Sequence, residues 1–417
     1  MDGRRRLVLA SLAAVGALGL ASAAASDASF AQVARGRYLV YAGDCFACHT
    51  AEGGAPFAGG RPVPTPFGTI YATNLTPDRQ TGIGRWSDAD FWKAMHDGIR
   101  PDGKHLYPAF PYPWYTKLDQ QDVRAIKAYL DTLPAVRSEA KAPKLPWPLS
   151  WRESVAGWNL LYFRSGEYRP HADKSSEWNR GAYLVEGLGH CGACHSPKNV
   201  LGGVKRDERY HGGMGEGWFA TSLTKDSHEG LGAWTVEDIV DYLKTGANEH
   251  ARALGPMAEV VENSTRYLDA ADLRAMAVYL KDMPGDSGKM PSHSASDDHD
   301  ALSSGRLVYV DQCAGCHMED GAGIAHVFPV IQGNSGSHAS NPASLIRLVL
   351  EGAHSAKSKE RPEAFAMPAF DWKLSDREIA DVLTYVRASW GNDAPAVAPA
   401  KVAAVRKAIR KEEVHGS

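Results

Sequence analysis

Cys45-Phe46-Ala47-Cys48-His49 is written three times along this chain, again as Cys191-Gly192-Ala193-Cys194-His195 and as Cys313-Ala314-Gly315-Cys316-His317. The copies use all six cysteines of the 417 residues. In this spacing two thiols can add across the vinyl groups of one porphyrin, and the next residue offers an imidazole to the iron. The pentads therefore point to three covalently bound haem c groups. Cys45 and Cys48, Cys191 and Cys194, and Cys313 and Cys316 would be the tethers, with His49, His195 and His317 as proximal axial ligands.

Other uses of the same residues fit less well. A zinc ribbon wants two cysteine pairs about 15–20 residues apart, and these pairs lie more than a hundred positions apart. One pentad supplies three ligands where a closed zinc site needs four. A thioredoxin-like redox pair would need a βαβ setting, whereas these flanks read as helix and Gly-rich loop. Structural disulfides leave the following histidine unexplained.

Working outward from the pentads exposes a repeat. Ahead of each lies a helix-like segment opening on glycine: Gly36-Arg37-Tyr38-Leu39-Val40, Gly181-Ala182-Tyr183-Leu184-Val185 and Gly305-Arg306-Leu307-Val308-Tyr309. Each unit closes on apolar residues at helical spacing. These are Val123, Ile126, Leu130 and Leu133, then Leu273, Met276, Leu280 and Met283, then Ile379, Val382 and Val386, with Tyr129, Tyr279 and Tyr385 on the same helices. In the first two units Trp86 and Trp234 each stand twelve residues before a glycine, Gly98 and Gly246. The expected units are 29–137, 177–284 and 303–392. Between them lie a Pro- and Trp-rich segment, 138–176, and a Ser-, Asp- and His-rich linker, 285–302, whose His293 and His299 read as solvated. The aromatic run from Trp151 to Phe163 would either pack against its neighbours or dock on a membrane or partner.

An electron-shuttling iron works best with both axial positions filled, and His/Met ligation is the usual cytochrome c arrangement. Gly255-Pro256-Met257 and Ala366-Met367-Pro368 supply Met257 and Met367 as distal ligands for the second and third haems. The first unit has Tyr107-Pro108-Ala109-Phe110-Pro111 instead, with Phe110 where the thioether belongs. His105, His96, Met95, water or an empty position are the alternatives there. The first haem should then differ from the others in potential, on the low side.

Residues 1–25 read as a secretory signal peptide: a basic start, an apolar run from Leu7 to Leu20 and small residues after it. That run is shorter than the ~17–25 residues of a spanning helix. Export fits the pentads, since bacteria attach c-type haem outside the cytoplasm, and places the mature chain on the periplasmic side of the inner membrane. A net charge of −3 gives no sign of a nucleic-acid partner. In the basic tail, 393–417, Val402, Val405 and Ile409 share a helix face with Lys401, Arg406, Lys407, Arg410 and Lys411 around them. Such a helix would lie on an anionic membrane surface, giving peripheral attachment, or fray in solvent.

Six further stretches carry a family resemblance: Gly-Asp-Cys-Phe-Ala-Cys-His-Thr at 43–50, Ala-Thr-Asn-Leu-Thr-Pro-Asp at 72–78, Leu-Tyr-Pro-Ala at 106–109, Glu-Trp-Asn-Arg-Gly-Ala-Tyr-Leu-Val at 177–185, Gly-Pro-Met-Ala-Glu-Val-Val at 255–261 and Met-Pro-Ala-Phe at 367–370. Over about 31–391 the chain resembles the triheme cytochrome c subunit of bacterial membrane-bound alcohol, gluconate, fructose and glucose dehydrogenases. The resemblance implies an all-α fold of three tandem class I cytochrome c-like domains. It also implies a partner dehydrogenase subunit with a flavin, quinone or molybdenum cofactor that oxidises a sugar, alcohol or aldehyde. Electrons would pass through the haems to ubiquinone or a terminal oxidase. In that family the first unit carries methionine where Phe110 stands. Two other functions compete: a stand-alone multihaem carrier, and a haem peroxidase using an open first iron.

Overall fold

Each opening segment becomes a helix that crosses its own closing helix at the glycine. The computed structural model describes residues 28–285, 298–325, 327–359 and 365–416. The opening helices are Phe30–Ala42, Ser176–Tyr183 (continued by a π-helical turn, Leu184–Leu188) and His299–Gln312; the closing helices are Gln120–Leu130, Ala270–Lys281 and Asp376–Ala388. A β-carbon on Gly36 would lie 1.8 Å from the carbonyl oxygen of Ala125. On Gly181 it would lie 1.9 Å from that of Ala275, and on Gly305 2.1 Å from that of Asp381. Only glycine admits so close a crossing. The same added β-carbon would also stand 2.9 Å from the Cβ of Tyr129, Tyr279 or Tyr385, so the tyrosine of each closing helix packs over the crossing.

Between the two crossing helices each unit inserts a middle helix: Asp88–Asp97, Val236–Thr245 and Ala343–Glu351. The first two begin with capping boxes, Ser87 with Asp90 and Thr235 with Asp238. All three end at a glycine in the left-handed region, Gly98 (φ 66°), Gly246 (φ 77°) and Gly352 (φ 69°).

Helices dominate, but the expected all-α architecture is supplemented by three antiparallel hairpins. Pro62–Thr65 pairs with Gly68–Tyr71, Gly213–Gly215 with Trp218–Ala220, and Ala353–His354 with Ala366–Met367. The short polar segments after the first two pentads satisfy their backbone groups by pairing.

The first two units share one hydrophobic core, in which Leu39, Val40, Ile126 and Leu130 meet Leu184, Val185, Leu273 and Met276. The third has its own, around Tyr309, Ile346, Ile379 and Leu383. It seats on the second through the middle helix, where the Ser344 hydroxyl both accepts from Phe219 N–H (2.7 Å) and donates to Phe219 C=O (3.0 Å).

Three expectations change. The segment 138–176 is partly a helix, Ser154–Tyr162, fastened by Arg152 to His105 C=O (2.9 Å) and by Trp158 Nε1–H to Leu201 C=O (3.0 Å). Trp147 (82 % exposed) and Leu160 (77 %) nevertheless face solvent. The linker 285–302 ends inside the third opening helix, with His299 in its first turn; 286–297, including His293, lie outside the described residues, as does the signal segment 1–25.

The basic tail neither frays nor offers its apolar face outward. It forms a helix, Pro399–Gly416, that buries Val402 and Ile409 and packs Val405 against the third unit's core. Arg406 bonds Asp376 (2.7 Å) and the carbonyls of Asp371 and Leu374. An amphipathic pattern specifies that something covers a face, and here the chain's own closing helix does. Among the described residues no helix is long and apolar enough to cross a membrane.

Candidate haem-binding sites

Each pentad sits just beyond its opening helix, in a single helical turn: Cys45–His49, Gly192–His195 and Ala314–His317. A turn of helix brings residues three apart onto one face, so both thiols of a pair look the same way. All six cysteines are free, with Cys48, Cys194 and Cys316 exposed at the mouth. Burial pushes the Cys45 and Cys191 thiols up to about 12 and Cys313 up to about 11. Redox and metal-binding cysteines are instead held low, as thiolates. Among the described residues no group of three or more His, Cys, Asp or Glu is placed to hold a metal ion.

The three histidines are set identically. His49 Nδ1 lies 2.6 Å from Thr73 C=O, His195 Nδ1 2.6 Å from Thr221 C=O and His317 Nδ1 3.1 Å from Pro329 C=O. A carbonyl oxygen only accepts, so each Nδ1 carries the hydrogen and each Nε2 keeps its lone pair for a ligand. Burial lowers all three pKa values, which favours the neutral, ligating form. The main chain of each histidine is held too: Gly59, Gly212 and Gly323 N–H donate to the carbonyls of His49, His195 and His317 at 2.8, 3.0 and 3.1 Å. All three glycines have positive φ. Their spacings from the pentads differ, so no pattern in the sequence marks them.

A haem fits these residues on a further observation. Arg252 Nε is buried with no hydrogen-bond partner among the described residues, as suits a donor whose anionic acceptor belongs to a bound group. In each unit the paired thiols and the oriented imidazole lie together on one short helical turn.

On the distal side two backbone bonds fix the register between units. Leu106 N–H donates to Gly98 C=O (2.7 Å) and Ala253 N–H to Gly246 C=O (2.8 Å). Phe110 and Met257 each follow four residues later, so they occupy matching positions. Met257 is the second residue of the helix Pro256–Asn263 and packs against the shared core, while Met367 lies on the strand beside Ala353. Phe110 sets its ring edge-on to Tyr115, centroids 5.5 Å apart.

The other first-unit candidates are engaged elsewhere. Met95 is a buried core residue. His96 stacks on Trp92 at 4.6 Å with Nδ1 2.7 Å from Asp97, and His105 Nδ1 lies 3.4 Å from Asn159 Nδ2 in the connecting helix. The structure adds His190, just before Cys191, whose Nδ1 bonds Leu188 C=O (2.7 Å) and whose ring meets Tyr115 at 5.6 Å.

A cytochrome c family profile matches residues 33–134 and 302–390. Over 412 residues the chain is 40 % identical to the gluconate 2-dehydrogenase cytochrome c subunit of Pantoea cypripedii, covering 94 % of this chain and 93 % of that one. It is 41 % identical to the cytochrome c subunit of the quinone alcohol dehydrogenase of Gluconobacter oxydans (strain 621H), over 92 % of this chain and 84 % of that one. With the fructose dehydrogenase cytochrome subunit of Gluconobacter japonicus it shares 36 % identity, over 90 % of this chain and 82 % of the relative. Pentads, oriented histidines, glycine crossings and near full-length kinship agree, and the chain belongs to the cytochrome c family, among the cytochrome c subunits of dehydrogenase complexes.

Proposed function

We propose that this chain is a triheme electron-transfer subunit. It would take electrons from a dehydrogenase catalytic subunit of flavin, quinone or molybdenum type, acting on a sugar, alcohol or aldehyde, and deliver them to the quinone pool or respiratory chain. The observation that carries the reading is the threefold Nδ1–carbonyl bond, which leaves one bare Nε2 beside each pair of free thiols. When bound, haem iron supplies one-electron chemistry that ordinary side chains lack.

The chain's own part is tethering and orientation. Cys45 and Cys48, Cys191 and Cys194, and Cys313 and Cys316 hold the three groups, and His49, His195 and His317 are the proximal ligands. Met257 and Met367 are the distal thioethers of the second and third sites, stabilising the reduced state. Phe110 leaves the first site without one. Three tandem cytochrome c-like domains are supported by the repeated glycine crossing. Export by the segment 1–25 would place the subunit at the periplasmic face of the inner membrane, associated peripherally through a surface other than the tail.

The test is direct. Exported protein should carry three haems by intact mass and haem assay, co-purify with a dehydrogenase subunit, and pass that subunit's electrons to a ubiquinone analogue. Fewer than three haems would refute the triheme reading. Three haems without a dehydrogenase partner would indicate a stand-alone carrier.

A further inference from the structure

Where the third unit meets the second, two histidines far apart in sequence face each other. His338 Nδ1 lies 2.8 Å from His228 Nδ1, with ring centroids 4.0 Å apart. Their outer nitrogens are both gripped by the stretch Asn392-Asp393. His338 Nε2 is 2.8 Å from Asn392 Oδ1, and His228 Nε2 is 3.0 Å from the main-chain oxygen of Asp393. The Asn392 amide cannot be turned the other way. Its nitrogen donates to Ile331 C=O (3.1 Å) and Val386 C=O (2.8 Å), and its oxygen also accepts from Gly333 N–H (2.8 Å).

Counting hydrogens decides the charge of this pair. Both Nε2 atoms face oxygens that only accept, so both carry a hydrogen. A neutral imidazole has one N–H, so two neutral rings would turn bare lone pairs on each other across 2.8 Å. That separation suits a hydrogen bond. It is too short for a bridging metal, whose bonds of about 2.0–2.1 Å would hold two ligand nitrogens further apart. A third hydrogen between the Nδ1 atoms satisfies every group and gives the pair one positive charge.

The surroundings accept one such charge and oppose a second. The Asp393 carboxylate acts on His338 through its charge, while Asp226 accepts from the His228 main-chain N–H (2.8 Å) and Glu229 from the Ser340 main-chain N–H (3.0 Å) nearby. Against them stands the buried guanidinium of Arg387, held by the carbonyls of Ser337, Ala339 and Pro395. Burial, and then the charge of its partner ring, lower the pKa of His338.

We propose that His228 and His338 share a single proton that clamps the third unit onto the second, making their attachment pH-dependent. The clamp holds while the pair keeps one extra proton. It loosens as the pH rises and that proton leaves, because the facing lone pairs then repel. It also loosens on acidification, when a second proton puts like charges side by side. The inference is independent of what the chain transfers electrons to.

Hydrogen–deuterium exchange on the full, haem-loaded chain tests this between about pH 5 and about pH 8, the range in which histidines exchange protons. Amides in 226–229 and 333–340 are compared with those flanking Tyr38 and Asp272, where no histidine takes part, to remove the intrinsic pH dependence of exchange. Opening at the 228/338 seam should rise about tenfold relative to that reference across the range. In His228→Gln a neutral amide N–H can serve His338 Nδ1, so the relative profile should flatten. A flat profile in the unsubstituted chain overturns the proposal, with no variant needed. So does an undiminished slope in a folded His228→Gln chain.

Discussion

The Tyr38 hydroxyl donates to Asp272 Oδ2 at 2.7 Å and accepts from Asp269 N–H at 3.3 Å, and Tyr183 does the same to Asp122 and Asp119 at the same two distances. Each tyrosine comes from the opening helix of one unit, and each aspartate pair from the closing helix of the other. The seam is thus self-complementary, like an isologous dimer interface written within one chain. Arg35 and Arg180 complete it by pairing with Asp122 and Asp272 inside their own units. The third unit has Leu307 where Tyr38 and Tyr183 stand, and Leu307 stays 69 % exposed.

Tyr38→Phe and Tyr183→Phe should each destabilise the paired units by about 1–2 kcal/mol, because each removes a hydrogen bond to a charged acceptor. The two effects should be nearly equal. Thermal unfolding of the haem-loaded protein measures them, and a neutral result at either site would break the symmetry argument.

The same seam should weaken in acid. Burial would raise the Asp272 carboxyl, but hydrogen bonds from Arg180 and Tyr38 outweigh it and hold the group below the usual carboxylate range. A carboxyl held low in the folded state adds stability above its unfolded value, near ~3.9, and loses it as the pH falls toward the folded value. The melting temperature should therefore drop on acidification below about pH 4, less steeply in Tyr38→Phe. Equal slopes would exclude Asp272 as a contributor.

Alanine at Gly36, Gly181 or Gly305 should prevent the opening and closing helices from meeting. The added carbon would stand about 2 Å from a carbonyl oxygen, which puts the change at or above the upper end of the ~1–3 kcal/mol that overpacking costs. Gly157→Ala is the control, since nothing lies within 4 Å of its β-carbon position. Helix propensity alone should make that change stabilising by up to about 1 kcal/mol. Yield of haem-loaded protein and melting temperature report both.

Phe110→Met would place a thioether in the register of Met257. The haem of the first site should then change to His/Met spectra and its potential should rise by on the order of a hundred millivolts. Before the substitution, one haem should bind cyanide or carbon monoxide more readily than the others. Three identical ligand-resistant haems in the unsubstituted chain would contradict this assignment.

Cutting the chain after Asn392 should destabilise the third unit rather than merely free a tail. It uncovers the face on which Val402 and Ile409 are buried, and it leaves the buried Arg347 with Glu351 but without Glu412. Because Arg347 keeps Glu351 and Glu412 is partly exposed, this loss should cost less than the ~3–5 kcal/mol of a buried charge left with no partner. The third unit's melting transition should fall while sedimentation with membranes is unchanged; loss of membrane binding with intact stability would restore the tail as an anchor.

The pentads, the glycine-bearing opening helices and the apolar faces of the closing helices were legible in the sequence, because each is local chemistry. A thioether pair needs two cysteines three apart, and a helix shows its buried face as a spacing of three and four. Even the crossing glycines stood at the head of their segments, though without a reason. What the tertiary structure alone decided is what each surface meets. Tyr38 and Asp272 are 234 positions apart, and neither is unusual until the fold brings them together. Likewise Gly59, Gly212 and Gly323 gain meaning only from the histidine carbonyls they hold, His228 and His338 from each other, and the tail's apolar face from the helix that covers it. Patterning in a sequence states that a group must be satisfied, while the identity of its partner follows from long-range packing that no spacing encodes.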